Sequence, residues 1–162
     1  MTKESLGNMM LRDVQADDLP IFFVQQLDPD ANYMAAFTRE DPADRVAFDA
    51  HWDRILGDES VIIQSVVWDE QVVGSVLSFV NEGKLEISYW IGKDFWGRGI
   101  ATRAVQLFLA KYVKRPIYGR AASDNFRSIR VLEKCGFKLV DRLRGYANSR
   151  QEEINEVVLE LT

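Results

Sequence analysis

The sequence predicts an α/β fold: one mixed, mostly antiparallel sheet of about six to seven strands flanked by about four helices. Three observations predict it. Between residues 61 and 91, three runs rich in β-branched and aromatic residues, Val61 to Trp68, Gln71 to Val80 and Lys84 to Ile91, are separated only by the turns Asp69-Glu70 and Asn81-Glu82-Gly83, the pattern of an antiparallel meander. A glycine-rich stretch then leads directly from strand into helix. The chain closes on two further runs, Phe137 to Tyr146 and Glu153 to Leu161, that read as a hairpin with Val157, Leu159 and Leu161 alternating onto one face.

The elements follow in order. The 162 residues suit a single domain, 1–162, with a full core. The polar residues 1–8 read as a disordered end. Met9 to Val14 is a short strand. Ala16-Asp17-Asp18 caps a helix to about Leu27, which Pro29 ends. Asn32 to Thr38 is a loop or a turn of helix. Asp41-Pro42 opens a second helix, which runs to Leu56 and closes at Gly57-Asp58. After the meander, Gly99 to Val113 is helical, with Ile100, Ala104, Leu107 and Phe108 facing the sheet, and Pro116 stops it. Ile117 to Ala121 is a strand. Ser123, Asp124 and Asn125 are cap types before a short helix that holds Ile129, Val131 and Leu132 and stops at Gly136.

Composition narrows the function classes. A net charge of −5 argues against general nucleic-acid affinity, and suits a cationic amine among other partners. No apolar run approaches the roughly 20 residues of a membrane span, and no signal-peptide pattern opens the chain. One cysteine, Cys135, forms no intrachain disulfide and points to a reducing, cytoplasmic setting. With one histidine, His51, no metal-ligand cluster is expected.

The stretch Phe95-Trp-Gly-Arg-Gly-Ile-Ala-Thr102 carries the chemistry. Small residues at Gly97, Gly99 and Ala101 admit a ligand close to the backbone, and the free N–H groups and dipole of the helix start favour an anion. A P-loop would need Lys-Ser/Thr after its last glycine, where Ile100 and Ala101 stand. A dinucleotide fingerprint would need an acid about 20 residues on, and Tyr118 to Ala122 offers none.

Two segments together resemble the GNAT (GCN5-related N-acetyltransferase) superfamily. Trp96-Gly-Arg-Gly-Ile-Ala101 is similar to its pyrophosphate loop, and Asn125 with Glu133-Lys-Cys-Gly-Phe137 is similar to its following segment. Trp96, where many members carry Gln or Arg, resembles the RimJ/RimL-like branch of ribosomal-protein N-acetyltransferases. The resemblance covers residues 85 to 137. It implies acetyl-CoA as cofactor, a small-molecule or peptide amine as acceptor, and no metal. Oligomeric state stays open between monomer and homodimer.

Residue by residue, the resemblance implies that Trp96, Gly97, Arg98, Gly99, Ile100, Ala101 and Thr102 hold the pyrophosphate. It implies that a splay between strands frees Trp90 or Ile91 backbone groups for the pantetheine arm and thioester carbonyl. Asn125 either bonds the pantetheine or only caps its helix. Arg98 and Arg103 screen phosphates or stay solvated, and Trp96 walls the groove or is core. Glu86 breaks an apolar strand, and a carboxylate in a partly dry cleft can take a proton from the amine, directly or through water. Many relatives place a tyrosine seven residues after the motif asparagine, and here that residue is Leu132. Ser128 is the candidate partner of the leaving thiolate, with Tyr89 and Tyr146 as further donors. Tyr33, Arg39, His51 and Trp52 are acceptor-site candidates, each with a packing alternative. Cys135 reads as buried packing rather than a nucleophile. The rival classes are a non-catalytic acyl-CoA-binding or sensing module and a nucleotide- or phosphate-binding regulatory domain.

Overall fold

The computed structural model describes residues 8–112 and 114–162. Its sheet contains β1 (Met9–Asp13), β2 (Ile62–Trp68), β3 (Gln71–Asn81), β4 (Lys84–Ile91), β5 (Ile117–Ala122), β6 (Lys138–Ala147) and β7 (Glu152–Leu161). They lie in the order β1-β2-β3-β4-β5-β7-β6, and among the described residues β4 with β5 is the one parallel pair. Five helices pack on it among the described residues: α1 (Asp18–Gln26), α2 (Pro29–Ala35), α3 (Arg45–Leu56), α4 (Ile100–Lys111) and α5 (Phe126–Lys134). None is long and apolar enough to cross a membrane.

The meander turns as expected. Asp69 and Glu70 both take positive φ, 49° and 67°, the primed geometry that matches strand twist although neither is glycine. Three boundaries differ from the sequence reading. Pro29 does not merely end α1; it begins α2, because Asp28 accepts a hydrogen bond from Ala31 N at 2.8 Å and proline is tolerated in a first turn. The third helix starts at Arg45 rather than Pro42, because Asp44 caps it through Ala47 N at 3.0 Å while Asp41 closes a turn onto Ala43 N. Asn8 is fixed by exchanging bonds with Asp69, at 3.0 and 2.9 Å, so the expected disordered end does not include it. The rest of that expectation concerns residues 1–7, and the predicted end of the fourth helix concerns Val113; both lie outside the described residues.

Two large apolar clusters sandwich the sheet, and a small third one gathers Ala36, Ala122 and Ala147. The larger joins Ile100, Ala104, Val105 and Phe108 of α4 and Val131 and Leu132 of α5 to Ile87, Ile91, Ile117 and Leu159. A twelve-residue helix is marginal alone in water, so α4 owes its stability to this face; each large side chain so buried contributes roughly 1.5–3 kcal/mol. The smaller core sets Phe22 of α1 and Phe48 and Trp52 of α3 on Ile63.

Candidate active site

The site is organised by β4. Its pairing with β3 is regular from Lys84 to Ile91, and Gly92 N donates to Val73 O at 2.9 Å. By the two-residue alternation of an antiparallel ladder, the backbone groups of Glu86, Ser88 and Trp90 face β3, while those of Ile87, Tyr89 and Ile91 face the other edge. On that edge β5 pairs only at Glu86 and Ile87 and then diverges. The N–H groups of Tyr89 and Ile91 therefore point into a gap between the strands. The carbonyl of Ile91 is taken by Trp96 Nε1 at 2.8 Å. The expected splay is present, with Tyr89 in place of Trp90 as the second source of backbone groups.

A groove of about 660 Å³ opens from this gap toward the start of α4. Gly97 and Gly99 both take φ 77°, and Gly99 caps α4 in the left-handed conformation with no acid in the first turn. A Cβ at Gly97 would meet nothing within 4 Å, so its requirement is conformational rather than spatial. Ile100, Ala101 and Thr102 continue the lining, and the opposite wall is Ala31, Met34 and Ala35 of α2. Trp96 serves both readings: it lines the groove and packs on the larger core. Asn125 lines the groove too, caps α5 by accepting from Ser128 N at 3.2 Å, and ties α2 by donating to Met34 O at 3.2 Å.

Arg98 is placed differently from expectation. Its guanidinium lies over Trp68, 5.3 Å from the ring centre, and over Phe95, and neither Arg98 nor Arg103 lines the groove. The cations that do are Arg127, Arg130 and Lys134 of α5, with Arg127 4.5 Å over Trp96. Sequence reasoning missed them, although their spacing, three and then four residues, marks one helical face.

On the other sheet face a second cleft, about 920 Å³, lies between β3, β4 and helices α1 and α3. Ser75, Ser88 and Trp90 form part of its sheet side, and Arg39, His51 and Trp52 line it too. Tyr33 does not. It lies under Arg150, whose guanidinium sits 3.9 Å over the ring, donates to Tyr33 O at 2.7 Å and grips Asp124 with two bonds of 2.8 and 3.0 Å. The His51 imidazole is held below its usual pKa by burial and by Arg39 and Arg54. Arg54 Nη2 stands 3.1 Å from His51 Nδ1. A guanidinium only donates, so Nδ1 accepts and Nε2 carries the ring proton. His51 thus offers its surroundings a donor, not a base.

The two clefts share Tyr89 and Trp90. Tyr89 Oη bonds Ser128 Oγ at 2.7 Å, and burial pushes its pKa up to about 12. Leu132, in the place of the relatives' tyrosine, is buried against Gly119, where a Cβ would stand 2.8 Å from its Cδ1. Tyr146 is exposed on β6 and lines neither cleft. Glu86 is 5% exposed; its Oε2 receives bonds from Arg120 and Asn81, each at 3.1 Å, and it lines neither cleft. Its partner Arg120 also reaches Glu156, at 3.6 Å. Glu86 thus presents no side-chain surface to the second cleft. The Cys135 thiol is half-buried 3.7 Å from Thr102 O, and burial pushes its pKa up to about 11, which suppresses the thiolate a nucleophile needs.

Comparison with known proteins gives the same frame. A family model described as an acetyltransferase (GNAT) domain matches residues 8–138. The fold is shared with the microcin C7 self-immunity acetyltransferase MccE in complex with acetyl-CoA and AMP, at 18% identity, 99% of each chain and a TM-score of 0.77. Mycobacterium smegmatis RimJ, in complex with CoA-disulfide, is similar at 20% identity over 98% of this chain and 83% of its own, TM-score 0.80. Spermidine N-acetyltransferase from Vibrio cholerae, in complex with CoA and spermine, is similar at 17% identity over 94% and 95%, TM-score 0.75. No curated protein matches the sequence.

Proposed function

Since the chain belongs to the acetyltransferase (GNAT) domain family, and is on that ground an N-acetyltransferase, we propose that it moves the acetyl group of acetyl-CoA directly onto a primary amine held in the second cleft. The observation that carries this reading is the meeting of the two clefts at Tyr89 and Trp90, where β5 leaves β4. A donor in one cleft and an acceptor in the other share one reaction space, and proximity alone supplies much of the rate.

Acetyl-CoA, when bound, supplies an activated thioester. The start of α4 receives its pyrophosphate through backbone N–H groups, aided by Arg127, Arg130 and Lys134. The Tyr89 and Ile91 N–H groups are the donors available to the pantetheine arm and to the thioester oxygen, whose developing charge a fixed donor stabilises. The amine must arrive at the carbonyl neutral. Glu86 accepts its proton through water: it shares a sheet face with the exposed Ser88, two residues away, while Oε2 stays committed to Arg120. Ser128 Oγ, bonded to Tyr89, is the donor for the leaving thiolate. A tyrosine near pKa 12 does not hand a proton fully to a thiolate whose reference value is about 8.5, so the pair acts by hydrogen bonding.

The reading is tested by varying acetyl-CoA and amine together. Intersecting double-reciprocal lines are expected, with no CoA released before amine is added. Parallel lines, with label from acetyl-CoA retained on the protein, would establish an acetyl-enzyme instead. Full turnover by Glu86→Gln at every pH would remove Glu86 from the proton path. The acceptor is a primary amine of one of three classes: a protein N-terminus, a polyamine or another small amine.

A further inference from the structure

We propose that the acceptor is a primary amine that also bears an anionic group, a carboxylate or a phosphate, bound by Arg39 and Arg54. This rests on the transfer reading above and narrows its substrate class.

The chain carries a net charge of −5, yet the second cleft has the opposite balance: Arg39 and Arg54 line it against one acid, Glu40. A half-buried guanidinium with a second arginine, Arg54, beside it is costly unless an anion compensates it. Among the described residues no carboxylate forms an ion pair with Arg39. Arg39 is half-buried, stacked 5.7 Å over Phe48, and makes no hydrogen bond or ion pair. Burial and Arg54 both push its pKa below the usual value, against a smaller opposing effect of Asp44. Asp44 is engaged in capping α3, and Asp49 is paired with Arg45 at 3.0 Å. Arg54 spends one nitrogen on His51 and keeps the rest of its fork. His51 Nε2–H adds a neutral donor to the same lining. Planar forks of this kind match carboxylate and phosphate oxygens in pairs.

A polyamine would bring further positive charge to this lining and meet repulsion. An amine with an anionic tail would place the tail on the arginines and leave its nitrogen free to reach Trp90 and Tyr89 on the shared strand.

Matched amines test the idea: β-alanine and an aminoalkyl phosphate against β-alaninamide and spermidine, with acetyl-CoA as donor. The anionic pair should exceed the amide in kcat/KM by about tenfold or more, the worth of charge-assisted bonds. The ratio between the two anions tells carboxylate from phosphate. Arg39→Gln and Arg54→Gln should erase the preference while CoA affinity stays unchanged, and Arg39→Lys should keep part of it. Equal or better turnover of spermidine or the amide, or a preference that survives both glutamine variants, would overturn the proposal. Absence of turnover with any amine would instead count against the transfer reading. Calorimetry of the same amines on the CoA-loaded protein then judges the arginines alone: arginine-dependent binding of the anions supports them, and equal binding of acid and amide refutes them.

Discussion

Gly74→Ala is the sharpest structural perturbation of the site. Gly74 stands opposite Ile91 in a non-hydrogen-bonded pair, where strands approach most closely. An added Cβ would overlap the Trp90 carbonyl oxygen and lie 2.9 Å from Ile91 Cδ1 and 3.0 Å from Ile91 Cα. Two of those three atoms are backbone and cannot rotate away. The methyl group must therefore push β4 off β3, toward the gap that faces β5. Overpacking of this kind costs about 3 kcal/mol, which for a domain of this size lowers Tm by roughly 6–12 °C. The control is Gly145→Ala on β6, whose Cβ would meet Phe37 Cε1 at an ordinary 3.6 Å. It should be neutral or slightly stabilising, because alanine restricts the unfolded chain by about 0.4–1 kcal/mol. Urea unfolding and a calorimetric acetyl-CoA titration read both effects, and Gly74→Ala should also weaken acetyl-CoA. If it unfolds within about 1 kcal/mol of the parent and binds acetyl-CoA as well, the close approach of β3 to the site is wrong.

Gly97→Ala should cost about 1–2 kcal/mol in left-handed strain and weaken CoA binding. Gly83→Ala, at φ 78° with equally open surroundings in the β3–β4 turn, should cost as much and leave CoA affinity intact, which thermal shift with and without CoA distinguishes. Tyr89→Phe and Ser128→Ala should each lower kcat, with the double variant losing less than the product of the two. Because Tyr89 ionises only near 12, neither limb of the pH–rate profile below pH 10 should move in Tyr89→Phe. The folded protein resists protonating His51, whose pKa lies below that of the unfolded chain, so this contribution is complete above about 6.5 and is lost as pH falls through that value. His51→Gln should flatten that part of the stability profile, measured by urea unfolding between pH 5 and 8, a span chosen around the roughly 6.5 reference value.

The meander, the glycine loop and the capped α5 were legible because each is declared by local chemistry: turn residues, small residues at a helix start, and an asparagine three residues before the N–H it caps. The start of α2 was not, because a proline ends one helix and begins another equally well, and only the bond from Ala31 N to Asp28 decides between them. Glu86 was read as a candidate base, a reading that left out its ion-pair partner. That partner, Arg120, lies 34 residues away on the parallel strand, a distance that strand alternation cannot span. Arg98 stands between the loop glycines Gly97 and Gly99 and invites a phosphate, but aromatic faces at Trp68 and Phe95 claim it. The cations of α5 were available from their spacing and were passed over for those beside the glycines. Tyr33, on α2, lies close in sequence to Arg39, yet one belongs to the Arg150 clasp and the other to the second cleft, a division that tertiary contact alone sets.

That clasp bears on how the protein is made. Arg150 has a side chain only 4% exposed and joins the β6–β7 turn to α2 and to the loop before α5. Asn148 and Ser149 add bonds to the Thr38 and Tyr33 carbonyls. β7, the last strand in the chain, is not an edge but lies between β5 and β6. On a ribosome emitting residues from the N-terminus, the glycine loop and α4 emerge well before β7 and the clasp. The α2 wall of the groove, tied earlier by Asn125 to Met34 O, gains the rest of its fastening only when residues near 150 arrive. A nascent or C-terminally clipped chain would hold every residue of the glycine loop and still lack the enclosure that keeps a cofactor in place.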